Sequence, residues 1–161
     1  MSLEFYFCLA LCIFVSYCPA EGQEEVLDGR VVIVSHLPSH LYWTEEGGVS
    51  NRLKASKYKI KKSCHKDTYY FINEKSGLFL SVTGGCGNTN IGLESAKLTR
   101  NQRFRLIFGD YANSTRVLAS KCDLNMYLTI NSGRNKLLLK KKDPSNMRQF
   151  YFNFATVLNN V

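Results

Sequence analysis

The chain repeats itself, and this limits its fold more than any other feature. The stretch from Gly77 to Phe108, GLFLSVTGGCGNTNIGLESAKLTRNQRFRLIF, returns from Asn125 to Phe154 as NMYLTINSGRNKLLLKKKDPSNMRQFYFNF. Phe79 answers Tyr127, and Gly84-Gly85 answers Ser132-Gly133. Phe104, Leu106 and Phe108 answer Phe150, Phe152 and Phe154. A fainter copy precedes both, in Leu41-Tyr42-Trp43, Gly47-Gly48, Leu53 and Ile60. The offsets agree: Tyr42 to Phe79 and Gly47 to Gly84 are both 37, while Phe79 to Tyr127 and Gly84 to Ser132 are both 48. Self-similarity at a long fixed period marks a repeat architecture, in which each copy is one supersecondary unit.

Within each copy, short runs rich in β-branched and aromatic residues are bounded by Gly, Asn, Asp and Ser, which predicts strands. The first copy gives Val31–Ser35, Leu41–Glu45, Arg52–Ser56 and Tyr58–Ser63. The second gives Tyr69–Asn73, Leu78–Thr83, Ile91–Ala96 and Phe104–Phe108, and the third Arg116–Ser120, Met126–Ile130, Lys136–Lys140 and Phe150–Phe154. Leu53, Leu93 and Leu138 are expected as equivalent core positions on the third strands, with Ile60, Leu106 and Phe152 on the fourth. Alternation at Phe104-x-Leu106-x-Phe108 predicts one buried and one wet face. No window carries a helical stripe, and the Gly-rich turns suit hairpins. Three copies of four short strands are the layout of an all-β protein, the β-trefoil: two strands per copy build a six-stranded barrel, and three hairpins cap one end. Such a fold hosts unrelated activities, so function must come from the sites.

The first 20 residues stand apart. Phe5 to Val15 is an apolar run, followed by Cys18-Pro19-Ala20 and an abrupt polar stretch. It is short for a membrane span and reads as a cleaved secretory signal, residues 1–20. Residues 21–28 then form a flexible acidic lead-in and 29–161 one trefoil domain, in a secreted, extracellular and monomeric protein without membrane insertion. Removing the signal takes one acid, Glu4, and no base, so the net charge rises from +8 to +9. Outside the cell, such charge favours polyanions, sulfated glycosaminoglycans above all, and secretion argues against nucleic acid. Three cysteines remain after cleavage, Cys64, Cys86 and Cys122, so at most one bridge forms and one thiol is left over. Cys86 sits in a hairpin turn and Cys122 in the loop opening the next copy, which favours that pair; spacing alone leaves connectivity open.

Val117-Leu-Ala-Ser-Lys-Cys-Asp-Leu-Asn-Met-Tyr-Leu-Thr129, followed by Lys136-Leu-Leu-Leu-Lys140 and Phe150-Tyr-Phe152, resembles the last third of interleukin-1 family cytokines. The Cys122–Leu128 segment is similar to fibroblast growth factors as well. These resemblances imply a non-enzymatic ligand of a cell-surface receptor or other extracellular protein, with no cofactor. Gln102-Arg103-Phe104 resembles the Gln-x-aromatic signature of ricin-type lectins, which implies sugar binding, with Asp123 and Tyr127 as the suggestive acid and aromatic pair. The signature occurs in one copy of three, since Met147-Arg-Gln-Phe150 is out of register, and the lectin is the alternative reading. A trefoil protease inhibitor of the Kunitz soybean type comes third.

Chemistry-bearing residues are sparse. His36, His40 and His65 show no metal-binding spacing, and no nucleophile context is evident. Basic residues are concentrated. Arg52, Lys54, Lys57, Lys59, Lys61, Lys62 and Lys66 fall in an acid-free stretch, and Lys57, Lys59 and Lys61 alternate along one strand. Arg134, Lys136, Lys140, Lys141 and Lys142 form a second group in the third copy. Three-fold closure makes the two copies neighbours, so both groups are candidates for binding a sulfated glycosaminoglycan; solvated strand faces are the alternative. Asn113-Ser114-Thr115 is an N-glycosylation sequon in a predicted loop.

Overall fold

Strand-forming runs and glycine turns fold this chain into short antiparallel strands. The computed structural model describes residues 26–34, 41–51, 54–108, 115–131, 133, 135–145, 150 and 152–156, with 26–34, 108, 115–117 and 155–156 as backbone alone. In chain order the strands are β1 (Val26–Val34), β2 (Leu41–Trp43), β3 (Val49–Ser50), β4 (Lys57–Lys62), β5 (Thr68–Asn73), β6 (Phe79–Val82), β7 (Ile91–Glu94), β8 (Phe104–Phe108), β9 (Thr115–Ser120), β10 (Met126–Asn131), β11 (Lys136–Lys141) and β12 (Phe152–Thr156). Among the described residues helix is confined to short 3-10 turns such as Arg100–Gln102, and none is long and apolar enough to cross a membrane.

Six strands close into a ring. β1 pairs with β4, β4 with β5, β5 with β8, β8 with β9, β9 with β12, and β12 returns to β1, every pair antiparallel. Closure removes the barrel's open edges. The other six strands form three hairpins, β2–β3, β6–β7 and β10–β11. This is the β-trefoil.

Pairing registers show how far the three copies correspond. Tyr42, Phe79 and Tyr127 lie opposite Ile33, Ile72 and Ala119 on the strand before them, so they are equivalent, as the 37 and 48 offsets require. The residue after each, Trp43, Leu80 and Leu128, is fully buried. Their hairpin partners are Val49, Leu93 and Leu139. This corrects the expected set of Leu53, Leu93 and Leu138: Leu137 and Leu139 are buried and Leu138 is half-buried, while Leu53 lies outside the described residues. Three consecutive leucines leave the parity open until a partner strand sets it.

The fourth strands need a similar correction. Tyr58, Phe104 and Phe152 face Asn73, Ser120 and Val34 on the next barrel strand, and all three are fully buried. Phe104 therefore answers Phe152, not Phe150, and Ile60 answers Leu106 and Phe154. Phe150 instead packs on Ile107 and Tyr127 outside the main core. In the first copy the third strand is Val49–Ser50, not Arg52–Ser56, because the turn after Trp43 closes at once, with Thr44 N–H donating to Gly48 O at 3.0 Å. Only an isolated bridge, Thr44 to Ala55, remains of the expected strand. β1 begins at Val26, taking three residues from the acidic lead-in, with a bulge between Leu27 and Arg30.

Tyr58 places its hydroxyl inside the core. Tyr58 is 0% exposed and its Oη donates to Thr44 O at 2.7 Å. Burial pushes its pKa up to about 12 from 10, because the phenolate would be stranded in an apolar surround. The folded state thus holds the proton more tightly than the unfolded state, and Tyr58 contributes stability that is intact below pH 10 and lost as pH rises through 12. The loss should reach roughly 2–3 kcal/mol. Urea unfolding at successive pH values checks this: the wild type should lose more stability across pH 10–12 than Tyr58→Phe, and parallel losses in the two proteins would contradict it.

Candidate functional site

Glycines let the first and third hairpins meet. Gly47, with φ +73°, turns the chain after Thr44, whose Oγ1 accepts the Gly48 N–H at 3.2 Å. Gly48 then forms an isolated antiparallel bridge with Lys136, and Val49 N–H donates to Asn135 O at 3.0 Å. A Cβ on Gly48 would stand 2.9 Å from Asn135 O, so the approach needs a residue without a side chain. The third hairpin touches the second too: Leu139 N–H donates to Thr89 O at 2.7 Å.

At the first junction lies an open cleft of about 420 Å³. Val49 and Ile91 supply apolar wall; Thr44, Ser50 and Asn135 supply hydrogen-bonding groups. Lys54 and Lys136, from different copies, supply ammonium groups, and Glu46 supplies one carboxylate. An apolar wall with a few convergent polar groups is what a small-molecule or saccharide site requires.

Three-fold closure therefore brings the two predicted basic groups together at Lys54 and Lys136. The rest remain spread. On β4, Tyr58 and Ile60 point inward while Lys57, Lys59 and Lys61 alternate with them, Lys57 exposed and the other two half-buried; Lys62 is exposed at the strand end. Lys140, Lys141 and Lys142 are exposed at and just beyond the end of β11, outside the cleft lining. Arg52, Arg134 and the Asn113 sequon lie outside the described residues.

The expected bridge is present. Cys86 and Cys122 form a disulfide with Cα atoms 5.1 Å apart, tying the β6–β7 turn to the corner between β9 and β10. Cys64 is disulfide-bonded as well, where a leftover thiol was expected.

The Gln102-Arg103-Phe104 signature is a built joint. Gln102 is 0% exposed; its amide donates to Ser81 Oγ at 3.0 Å and Ser95 O at 2.8 Å, and its oxygen accepts the Lys97 and Leu98 N–H groups, both at 2.9 Å. One buried amide thus uses all its capacity to seat the segment before β8. Of the Asp123 and Tyr127 pair, Asp123 is exposed and Tyr127 half-buried. Asp123 Oδ1 accepts Asn125 N–H at 2.9 Å, and Tyr127 packs against Phe150.

Sequence reasoning passed over a third basic group. Arg103 is buried, 7% exposed, beside exposed Arg100 and half-buried Lys121, with exposed His65 nearby. These residues are spread over 57 positions of sequence, so no charge run signals them; only the pairing of β8 with both β5 and β9 collects them.

No family model matches the chain, and no curated protein matches it. Solved structures do. The designed three-fold symmetric protein ThreeFoil is 13% identical with a TM-score of 0.58, covering 80% of this chain and 98% of that one. SeviL, solved with the asialo-GM1 saccharide, is 13% identical with a TM-score of 0.60, over 81% and 99%. The Polyporus squamosus lectin, solved with a human-type influenza-binding epitope, is 14% identical with a TM-score of 0.63, over 84% of this chain and half of that one. At such identities the likeness establishes the trefoil fold. None of these three is an interleukin-1 or fibroblast growth factor structure, so the cytokine resemblance gains no support from them.

The junction makes a direct prediction. Gly48→Ala should cost roughly 1–3 kcal/mol through overpacking against the Asn135 carbonyl, and should displace Lys136 from Lys54. Urea denaturation, with amide shifts of 135–137 by NMR, checks this; unchanged stability and unmoved amides would contradict it.

Proposed function

We propose that this protein is a secreted, non-enzymatic glycan-binding protein of the trefoil-lectin kind, and that it prefers acidic saccharides. The observation that carries the reading is the cleft between the first and third hairpins, whose lining brings Lys54 and Lys136, from different copies, together with apolar carbon of Val49 and Ile91. A pyranose ring has the matching character, since its C–H face packs on aliphatic carbon while its hydroxyls take the polar groups of the rim. A sulfate or carboxylate on the same sugar would place charge beside the lysines, and Glu46 limits how much negative charge the cleft accepts. Structural neighbours solved with saccharides support the reading, and so does the buried Gln102 joint.

The outward lysines of β4, with Lys62 and Lys140–Lys142, extend the contact to a longer sulfated glycosaminoglycan. Each exposed ion pair is worth only about 0–1 kcal/mol, so affinity on this face comes from several acting on one chain and is screened by salt. A glycan array separates the readings. The expected result is binding to sulfated or sialylated saccharides, weakened by added salt and by the Lys54→Gln/Lys136→Gln double variant. No binding across neutral and acidic glycans, with tight binding to a receptor ectodomain instead, would overturn the proposal in favour of a cytokine-like ligand.

A further inference from the structure

Outside the cleft, the least explained charge in the described residues is the Arg103 guanidinium. The side chain is buried, its Nε reaches Thr99 O only at 3.4 Å, and its Nη1 has no hydrogen-bond partner. No salt bridge among the described residues reaches it; Glu45 pairs with Lys75 and Glu94 with Lys97. Burying a cation without a counter-charge is costly, and natural structures ordinarily pair it.

The backbone surrounds this charge with more of its own sign. Arg103 N–H donates to Arg100 O at 3.2 Å, closing the 3-10 turn that carries Arg100, and Lys121 N–H donates to Arg103 O at 3.0 Å, which sets Lys121 alongside. His65 projects from the turn between β4 and β5, which is braced by Ser63 Oγ and Thr68 Oγ1 at 2.6 Å and by Thr68 Oγ1 donating to His65 O at 2.9 Å. The imidazole senses the group: slight desolvation first, then the charges of Arg103, Lys121 and Arg100, hold its pKa below the usual histidine value. Asp67, in the same turn, is exposed.

We propose that Arg103, Arg100, Lys121 and His65 form a second site, distinct from the hairpin cleft, that binds a single oxyanion, the sulfate or carboxylate group of an acidic saccharide. Guanidinium suits this role because its planar fork matches two oxygens of such an anion, and the surrounding cations raise the local potential that draws it in. Three segments from different parts of the chain converge here, so the geometry is held by the barrel rather than by a flexible loop.

The test is NMR titration of the full chain with sodium sulfate, a sulfated disaccharide and a sialylated disaccharide, with sodium chloride as the ionic-strength control. Sulfate should shift the amides of Arg103 and Lys121 and raise the His65 titration midpoint, because a bound anion offsets the neighbouring cations, while chloride should not. Arg103→Gln should weaken this binding roughly tenfold or more. Should Arg103→Gln fail to fold, the Arg100→Gln/Lys121→Gln double variant, which alters more accessible side chains, should weaken it as well. Lys54→Gln/Lys136→Gln should leave it intact, which separates this site from the cleft. Of the two disaccharides, the one that reproduces the sulfate shifts at lower concentration identifies the source of the group. Equal shifts from chloride and sulfate, or sulfate shifts unchanged in the Arg103 and double variants, would overturn the proposal.

Discussion

The structure depends on the packing around Trp43, the only tryptophan in the chain. Its ring is fully buried and meets Tyr58, Phe71 and Phe152 edge-on at centroid distances of 5.4, 5.5 and 5.6 Å. Those partners sit on β4, β5 and β12, so one side chain from the first hairpin plugs the barrel and joins strands of all three copies. An indole in such a place is worth about 3–5 kcal/mol against alanine, and each edge-to-face pair adds roughly 0.5–1.5 kcal/mol. These gains offset a cost, since Trp43 Nε1 is buried without a partner, a loss of about 1–3 kcal/mol.

The same residue sets the candidate site. Trp43 pairs with Val49 across the first hairpin, so the turn between them is short and Gly48 stands where the third hairpin arrives. Core packing and surface cleft are thus linked through six residues of chain. The second and third copies fill the equivalent position with Leu80 and Leu128.

Much of this architecture was legible because repeat offsets survive even where residue identity does not. Tyr42, Phe79 and Tyr127 are equivalent in both sequence and register. Errors arose where the pattern has two solutions. Phe150, Phe152 and Phe154 alternate alike; the offset of 48 points to Phe152 as the counterpart of Phe104, and the pairing of β12 with β1 fixes it. Leu137, Leu138 and Leu139 hide their parity in the same way. The Cys86–Cys122 bridge was legible because both cysteines fall at corners. The cleft and the Arg103 group were not, since their residues meet only across copies. Lysine alternation on β4 was visible, yet an outward row of lysines is equally what a soluble strand needs.

The central claim is that an acidic saccharide occupies the cleft between the first and third hairpins. A crystal structure of the protein with a sulfated oligosaccharide tests it most directly. The account predicts a sugar ring against Val49 and Ile91, with an acidic group beside Lys54 or Lys136. A saccharide held only along Lys57, Lys59 and Lys61, with the cleft empty, would contradict it.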